Sequence, residues 1–143
     1  KMKGLAFHCH HDILVECVTD YDERVKAIKR DKPPEEQELR LRLFKMIPED
    51  RLPADLIRAR AELDKARAKW EKAGAKLEKE RAKKARAELE KEWAKWKKAW
   101  AELDKLLASH KELLEKLHTE LCPDCTWDGK TIFTRKDETG KWY

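Results

Sequence analysis

From Pro53 to Leu121 the chain runs 69 residues with one glycine and, after Pro53, no proline. Of those residues, 55 are Ala, Glu, Lys, Leu or Arg. Strong helix formers without a breaker leave long helix as the consistent fold for such a stretch. Apolar residues give it a seam. Leu56, Ala59, Leu63, Ala66, Trp70, Ala73 and Leu77 follow one another in steps of three and four. Leu89, Trp93, Trp96, Trp100, Leu103 and Leu107 do the same, and His110 continues the line toward Leu114, Leu117 and Leu121. Alternating three-four spacing is the a/d pattern of a coiled coil.

The two seams are out of phase. Leu77 and Trp93 hold equivalent places sixteen residues apart. At about 100° per residue they lie roughly 160° apart on a straight helix. A bend between the stretches lets the seams face each other. The expected arrangement is therefore an antiparallel helical hairpin with its tip near Lys79–Arg86. The alternative is one continuous helix of about 100 Å that dimerises along each seam. The absence of Gly, Pro, Asn or Asp between Glu78 and Glu88 speaks for the alternative.

The flanks read differently. Residues 4–9 suggest a short extended segment. Asp12 is the expected N-cap of a helix carrying Ile13, Leu14, Cys17, Val18, Tyr21, Val25 and Ile28 to about Lys32, with a strand at residues 13–15 ranked second. Pro33 and Pro34 end that helix, and Pro34 opens the next. Its stripe is Leu39, Leu43, Phe44 and Ile47, and Pro48 closes it. After Leu121 come a Cys-x-x-Cys knuckle, an Asp128-Gly129 turn, a strand over residues 131–133, and a second turn returning Trp142 and Tyr143.

Charge follows the same division. Charged residues make up 44% of the chain, whose net charge is +5. Residues 53–121 hold 19 basic and 14 acidic side chains, whereas the flanks hold 15 of each. The excess dresses the helical arm, and a salt-bridged, solvated face is preferred to a nucleic-acid surface. Trp70, Trp93, Trp96 and Trp100 lie beside Lys95, Lys97 and Lys98, yet their seam positions point to core packing before base stacking. No apolar run exceeds three residues, the length of Leu5-Ala6-Phe7, far short of a membrane span. No secretory signal pattern opens the sequence, and a cytoplasmic location is expected.

Chemistry concentrates in the flanks. Cys122 and Cys125 form Cys-x-x-Cys after a helix end, with His118 one turn earlier. His8, Cys9, His10 and His11 lie near the other end of the sequence. A tight Cys-x-x-Cys turn supplies two of the four ligands of a tetrahedral zinc. The expected ligands are Cys122 and Cys125 with two of His118, His10, His8, His11 and Cys9. On a strand, His8 and His10 would share one face and Cys9 and His11 the other. The competing readings are free thiols in a reducing compartment, a disulfide, and a redox dithiol; the last is weakened because the pair follows a helix instead of opening one. A catalytic zinc would need an open position and a base, and Asp12, Asp124 and Glu16 are not singled out. Cys17 reads as a small buried hydrophobe. Phosphate-loop, dinucleotide, serine-hydrolase and His-Glu-x-x-His patterns are absent.

Ala61-Glu-Leu-Asp-Lys-Ala and Lys98-Ala-Trp-Ala-Glu-Leu-Asp-Lys sit between Phe7-His-Cys-His-His-Asp and the closing Cys-Pro-Asp-Cys-Thr-Trp-Asp-Gly-Lys-Thr-Ile-Phe. In these pieces the chain resembles uncharacterised bacterial or phage proteins built around tandem A-Y-D-K-A-W-A repeats. The resemblance implies a length-variable spacer between two parts of one terminal module, and no activity. The middle also uses the vocabulary of designed helices, so a redesigned segment between natural flanks is expected. The sequence thus predicts a mostly α protein, a long hairpin projecting from a small α+β zinc-stapled base. Its segments are 1–52, 53–121 and 122–143. The expected role is structural or interaction-based and not enzymatic, with self-association through the seams. The alternatives are a nucleic-acid-binding or regulatory zinc module and a metal-dependent enzyme.

Overall fold

The computed structural model describes residues 2–143. The chain divides into two compact units, one made of residues up to Arg51 together with Glu112–Tyr143, the other of Leu52–Lys111. The first carries 16 basic and 18 acidic side chains and the second 18 and 11, so the units have net charges of −2 and +7.

The first unit is built on a three-stranded antiparallel sheet of order β2-β1-β3. Strand β1 (Gly4–Phe7) lies between β2 (Val15–Val18) and β3 (Lys45–Met46). Every residue of β1 is buried, as its uninterrupted Leu-Ala-Phe run requires of a central strand. Ala6 faces Glu16 on one side and Met46 on the other.

The expected helix from residue 13 does not form. The β-branched residues Val15 and Val18 enter β2, Ile13 stays 41% exposed, and the helix α1 starts only at Tyr21 (Tyr21–Asp31). Its cap is Asp20, which accepts from Glu23 N at 3.2 Å; Asp12 lies in the preceding turn. Apolar residues at 13, 14, 17 and 18 suit a helix face, and pairing of residues 15–18 with β1 overrides that period. Helix α2 (Pro34–Leu43) also ends early. Lys45 and Met46, expected inside it, pair with Phe7 and Ala6 instead. A strand over residues 131–133 is likewise not formed; the return of Trp142 survives as one bridge to Lys136.

Two apolar clusters flank α2. Ala6, Cys9, Val18, Ile28 and Phe44 form the first, under Tyr21, Val25 and Met46. Leu39, Leu43, Cys122 and Ile132 form the second, with Cys125, Trp127, Phe133 and Trp142 around it. Helix α5 (Lys111–Leu121) leads into the second cluster through Cys122. Asp128 shapes the turn after it, accepting from Lys130 N at 2.8 Å and Thr131 N at 3.0 Å, with Gly129 at φ 98°.

The second unit is the hairpin. Helices α3 (Ala54–Glu80) and α4 (Lys83–Ser109) pack closely against each other. Their connection is two residues, Arg81 and Ala82, inside the expected tip. Arg81 closes α3 in the left-handed region at φ 47°, where its N–H bonds to Leu77 O at 2.7 Å. Glycine is preferred at such a cap because its missing Cβ avoids a clash worth about 1–2 kcal/mol. Arg81→Gly is therefore expected to stabilise the hairpin by about 1 kcal/mol. A lower midpoint in thermal circular dichroism would contradict this account of the tip.

The α3 seam forms as spaced, with Leu56, Ala59, Leu63 and Ala73 buried. The α4 seam is rolled. Ala85, Glu92 and Leu103 are buried, while Trp93 and Trp100 stand 41% and 47% exposed. The tryptophans form a flank instead, with ring centroids 5.4 Å apart for Trp70–Trp93, 4.9 Å for Trp70–Trp96 and 5.0 Å for Trp93–Trp96. The roll carries Glu92 inward, leaving its Oε2 without a hydrogen bond and its Oε1 3.8 Å from Lys95. A buried carboxylate so weakly paired costs stability. Glu92→Leu is expected to raise hairpin stability by about 1–3 kcal/mol, read by chemical denaturation. No gain would mean that the groove around Glu92 is wetter than its burial indicates. At Ser109 α4 ends, and His110 Nε2 meets both Asp55 oxygens at 2.9 and 3.0 Å, holding the Asp55 carboxyl below its usual range. His110 is thus a seam residue at the open end of the hairpin.

Candidate metal centre

The first unit gathers four potential ligands at one point. His8 follows β1, His118 sits on the last turn of α5, Cys122 follows that helix, and Cys125 ends the knuckle. Their ligand atoms all lie within 4.8 Å of one another, and three of the four residues are buried. This group of His and Cys side chains can hold a metal ion.

Local geometry explains the convergence. His118 and Cys122 are four residues apart, and Cys122 N continues the helix by bonding to His118 O at 2.9 Å. Both side chains therefore share one helix face. Asp124, at φ 54°, turns the chain back so that Cys125 returns to His118. Aspartate tolerates that left-handed conformation better than most residues. Outside the turn its carboxylate lies 3.7 Å from Arg42 and 3.6 Å from Arg135.

His8 reaches the site by a break in strand alternation. At φ 53° it is left-handed, a conformation that costs a non-glycine residue about 1–2 kcal/mol. Plain alternation would set His8 on the Ala6 face. Instead its ring meets His118 at 4.9 Å, as Phe7 does at 5.2 Å, and Cys9 joins Ala6 in the first apolar cluster. The expected pairing of His8 with His10 on one face is thus corrected by a single residue's backbone.

His8 Nε2 and His118 Nε2 are 2.9 Å apart, and Cys125 Sγ lies 3.2 Å from His118 Nε2 and 3.4 Å from His8 Nε2. An imidazole nitrogen has one in-plane lone pair or one N–H, so it serves one hydrogen-bond partner. Here each of the two nitrogens faces two. A single cation at the common point satisfies all of them at once. The hydrogen bond from the Cys122 thiol, with help from His118 and His8, pulls the Cys125 thiol far below its ordinary value despite burial. The same bond, then burial, pushes Cys122 up.

The other sequence candidates lie elsewhere. His10 Nδ1 is 2.7 Å from Glu16 Oε1. His11 Nδ1 is 3.1 Å from Thr131 Oγ1, its ring stacks on Phe133, and its carbonyl accepts from Ile132 N at 2.9 Å. His11 thus ties the Cys-x-x-Cys segment to the N-terminal loop without joining the ligand group. Cys17 is half-buried in β2. Sequence reasoning missed the packing partners, Phe7 against His118 and Trp127 5.3 Å from His8. Only the aromatic residues next to the ligands hinted at them. A cavity of about 480 Å³ opens beside the centre, lined by His118, Cys122 and Cys125 with Glu115, Thr119 and Trp127.

The four side chains define a His₂Cys₂ centre inside a small α+β unit. No family model, curated protein or solved structure matches this chain. Among the described residues, no helix is long and apolar enough to cross a membrane.

Proposed function

We propose that His8, His118, Cys122 and Cys125 hold a structural zinc ion, and that the protein is a non-enzymatic structural or interaction protein. The observation that carries this reading is the set of two imidazole nitrogens and one sulfur crowded within 3.4 Å with too few hydrogen-bonding directions to pair. Two nitrogens and two sulfurs are a zinc donor set. Tetrahedral zinc spaces its nitrogens about 3.3 Å apart and nitrogen from sulfur about 3.6 Å. The present spacings reach those values with shifts of a few tenths of an ångström. Four protein ligands leave no open position, which favours a structural over a catalytic ion. The ion links the end of β1 to α5 and the knuckle, so residues separated by 110 positions become one module. In this reading the middle of the chain is a spacer of designed or rewritten helix. Protein purified without added metal should contain one zinc per chain by atomic emission. Absence of zinc, with both thiols free, would remove the proposal.

A second reading has one observation in its favour. Trp93 and Trp100, expected in the core, are exposed on a unit of net charge +7, next to Lys97 and Lys98. Exposed indoles beside lysines suit stacking on single-stranded nucleic acid. That reading requires quenching of tryptophan fluorescence by an oligothymidine that weakens steeply with salt. Unchanged fluorescence at low salt removes it.

A further inference from the structure

Three side chains outside the His₂Cys₂ centre also converge. We infer that Cys9, His10 and Glu16 form a second, open metal site that takes a divalent transition ion of the zinc, cobalt or nickel class.

Their ligand atoms lie within 4.8 Å of one another. The β1–β2 connection brings them together. It is closed by His8 N to Leu14 O at 3.1 Å and Ile13 N to His10 O at 3.4 Å. Glu16 stands opposite Ala6, and Cys9 packs in the same cluster as Ala6. The left-handed turn at His8 therefore does two things. It sends His8 toward His118 and sends Cys9 to the side where Glu16 projects. Glu16 is a charged residue in a strand whose ends, Val15 and Val18, are buried. Its carboxylate is already engaged by His10 Nδ1 at 2.7 Å, with the histidine side chain 48% exposed.

The donor types select the ion. Thiolate, imidazole and carboxylate are a borderline set that zinc-like ions accept and that magnesium and calcium, which want oxygen, do not. Three protein ligands leave a fourth position for water or another small ligand. Cys9 is buried and His10 is not, so that position opens on the His10 side. Binding is balanced by loss of the Cys9 thiol proton to buffer. A dication with one thiolate, one carboxylate and a neutral imidazole then has no net charge. Arg24 donates from Nη2 to Cys9 O at 2.8 Å, and with three protein ligands against four the site is the weaker of the two.

Cobalt(II) titration of the full-length protein, followed by absorption, tests this. Two equivalents are expected, the first with two-thiolate charge-transfer intensity and the second weaker, with one-thiolate intensity. His10→Ala and Glu16→Gln should each weaken only the second equivalent, by tenfold or more. Neither residue belongs to the first centre, so that centre reports whether the variants fold. A second equivalent indifferent to both substitutions, or a single equivalent at saturation, overturns the second site and leaves the four-ligand reading standing. A missing first equivalent beside a weak one sensitive to Glu16→Gln has the opposite meaning.

Discussion

Stripping the ion with a strong chelator is expected to unfold the β1–α5–knuckle unit while the α3–α4 hairpin stays helical. Zinc binding in small metal-folded modules is worth about 10–16 kcal/mol near neutral pH. A domain's whole stability is only about 5–15 kcal/mol. The sheet of the first unit has strands of four, four and two residues, too few to hold without the second cluster. That cluster contains Cys122 and rests on Cys125. Losing the ion leaves the Cys125 sulfur and two imidazoles crowded at one point without a common partner, so the cluster loses its anchor. The hairpin has its own seam of Leu56, Leu63 and Leu103 and no ligand in it. Thermal unfolding followed at two wavelengths should therefore split after chelation. The near-ultraviolet signal of the first unit should disappear, and most of the far-ultraviolet helical signal should persist. One unshifted transition with and without chelator would contradict a structural ion.

Phe7→Ala is expected to have the next largest effect. Phe7 is fully buried, lies in the central strand and packs edge-on against His118 at 5.2 Å. Truncating a buried phenylalanine costs about 3–5 kcal/mol, from lost burial and the cavity left behind. Here the cavity borders a ligand. His118 loses the ring that holds its imidazole, so metal affinity should fall along with stability. Loosening a ligand's support costs about tenfold to a hundredfold in affinity. A competition titration against a chromophoric chelator reads the second effect separately. Phe44→Ala is the control for the four-ligand centre: Phe44 is also buried, but it stacks on Tyr21 at 4.6 Å, in the cluster that holds none of those four ligands. It should lose comparable stability and keep metal affinity once folded. Equal affinity losses in both variants would mean that the Phe7–His118 contact has no special role.

The hairpin was readable because its signal repeats over many residues. Phase reversal between Leu77 and Trp93 favours a bend over one continuous helix even without a turn residue, and Arg81 makes it by accepting a left-handed backbone. The roll of α4 was not readable. The steps 89–93–96 and 89–92–96 fit a three-four pattern equally, and only packing against α3 chooses between them. Short apolar runs misled for a related reason. Residues 13–18 carry an apolar pattern that fits a helix face, and their pairing with residues 4–7 overrides it. At the metal centre, Cys122, Cys125 and His118 announce themselves by spacing. His8 could not be told from His10 and His11, because the choice rests on one backbone torsion of 53°.

Zinc-edge X-ray absorption on the purified protein tests the central claim most directly. With one zinc per chain, which fills the tighter four-ligand centre, the account predicts two sulfur scatterers at about 2.3 Å and two imidazole nitrogens at about 2.0–2.1 Å, with a shell that His11→Ala leaves unchanged. A shell of oxygen and nitrogen without sulfur, or one that survives removal of the His8 imidazole, would contradict it.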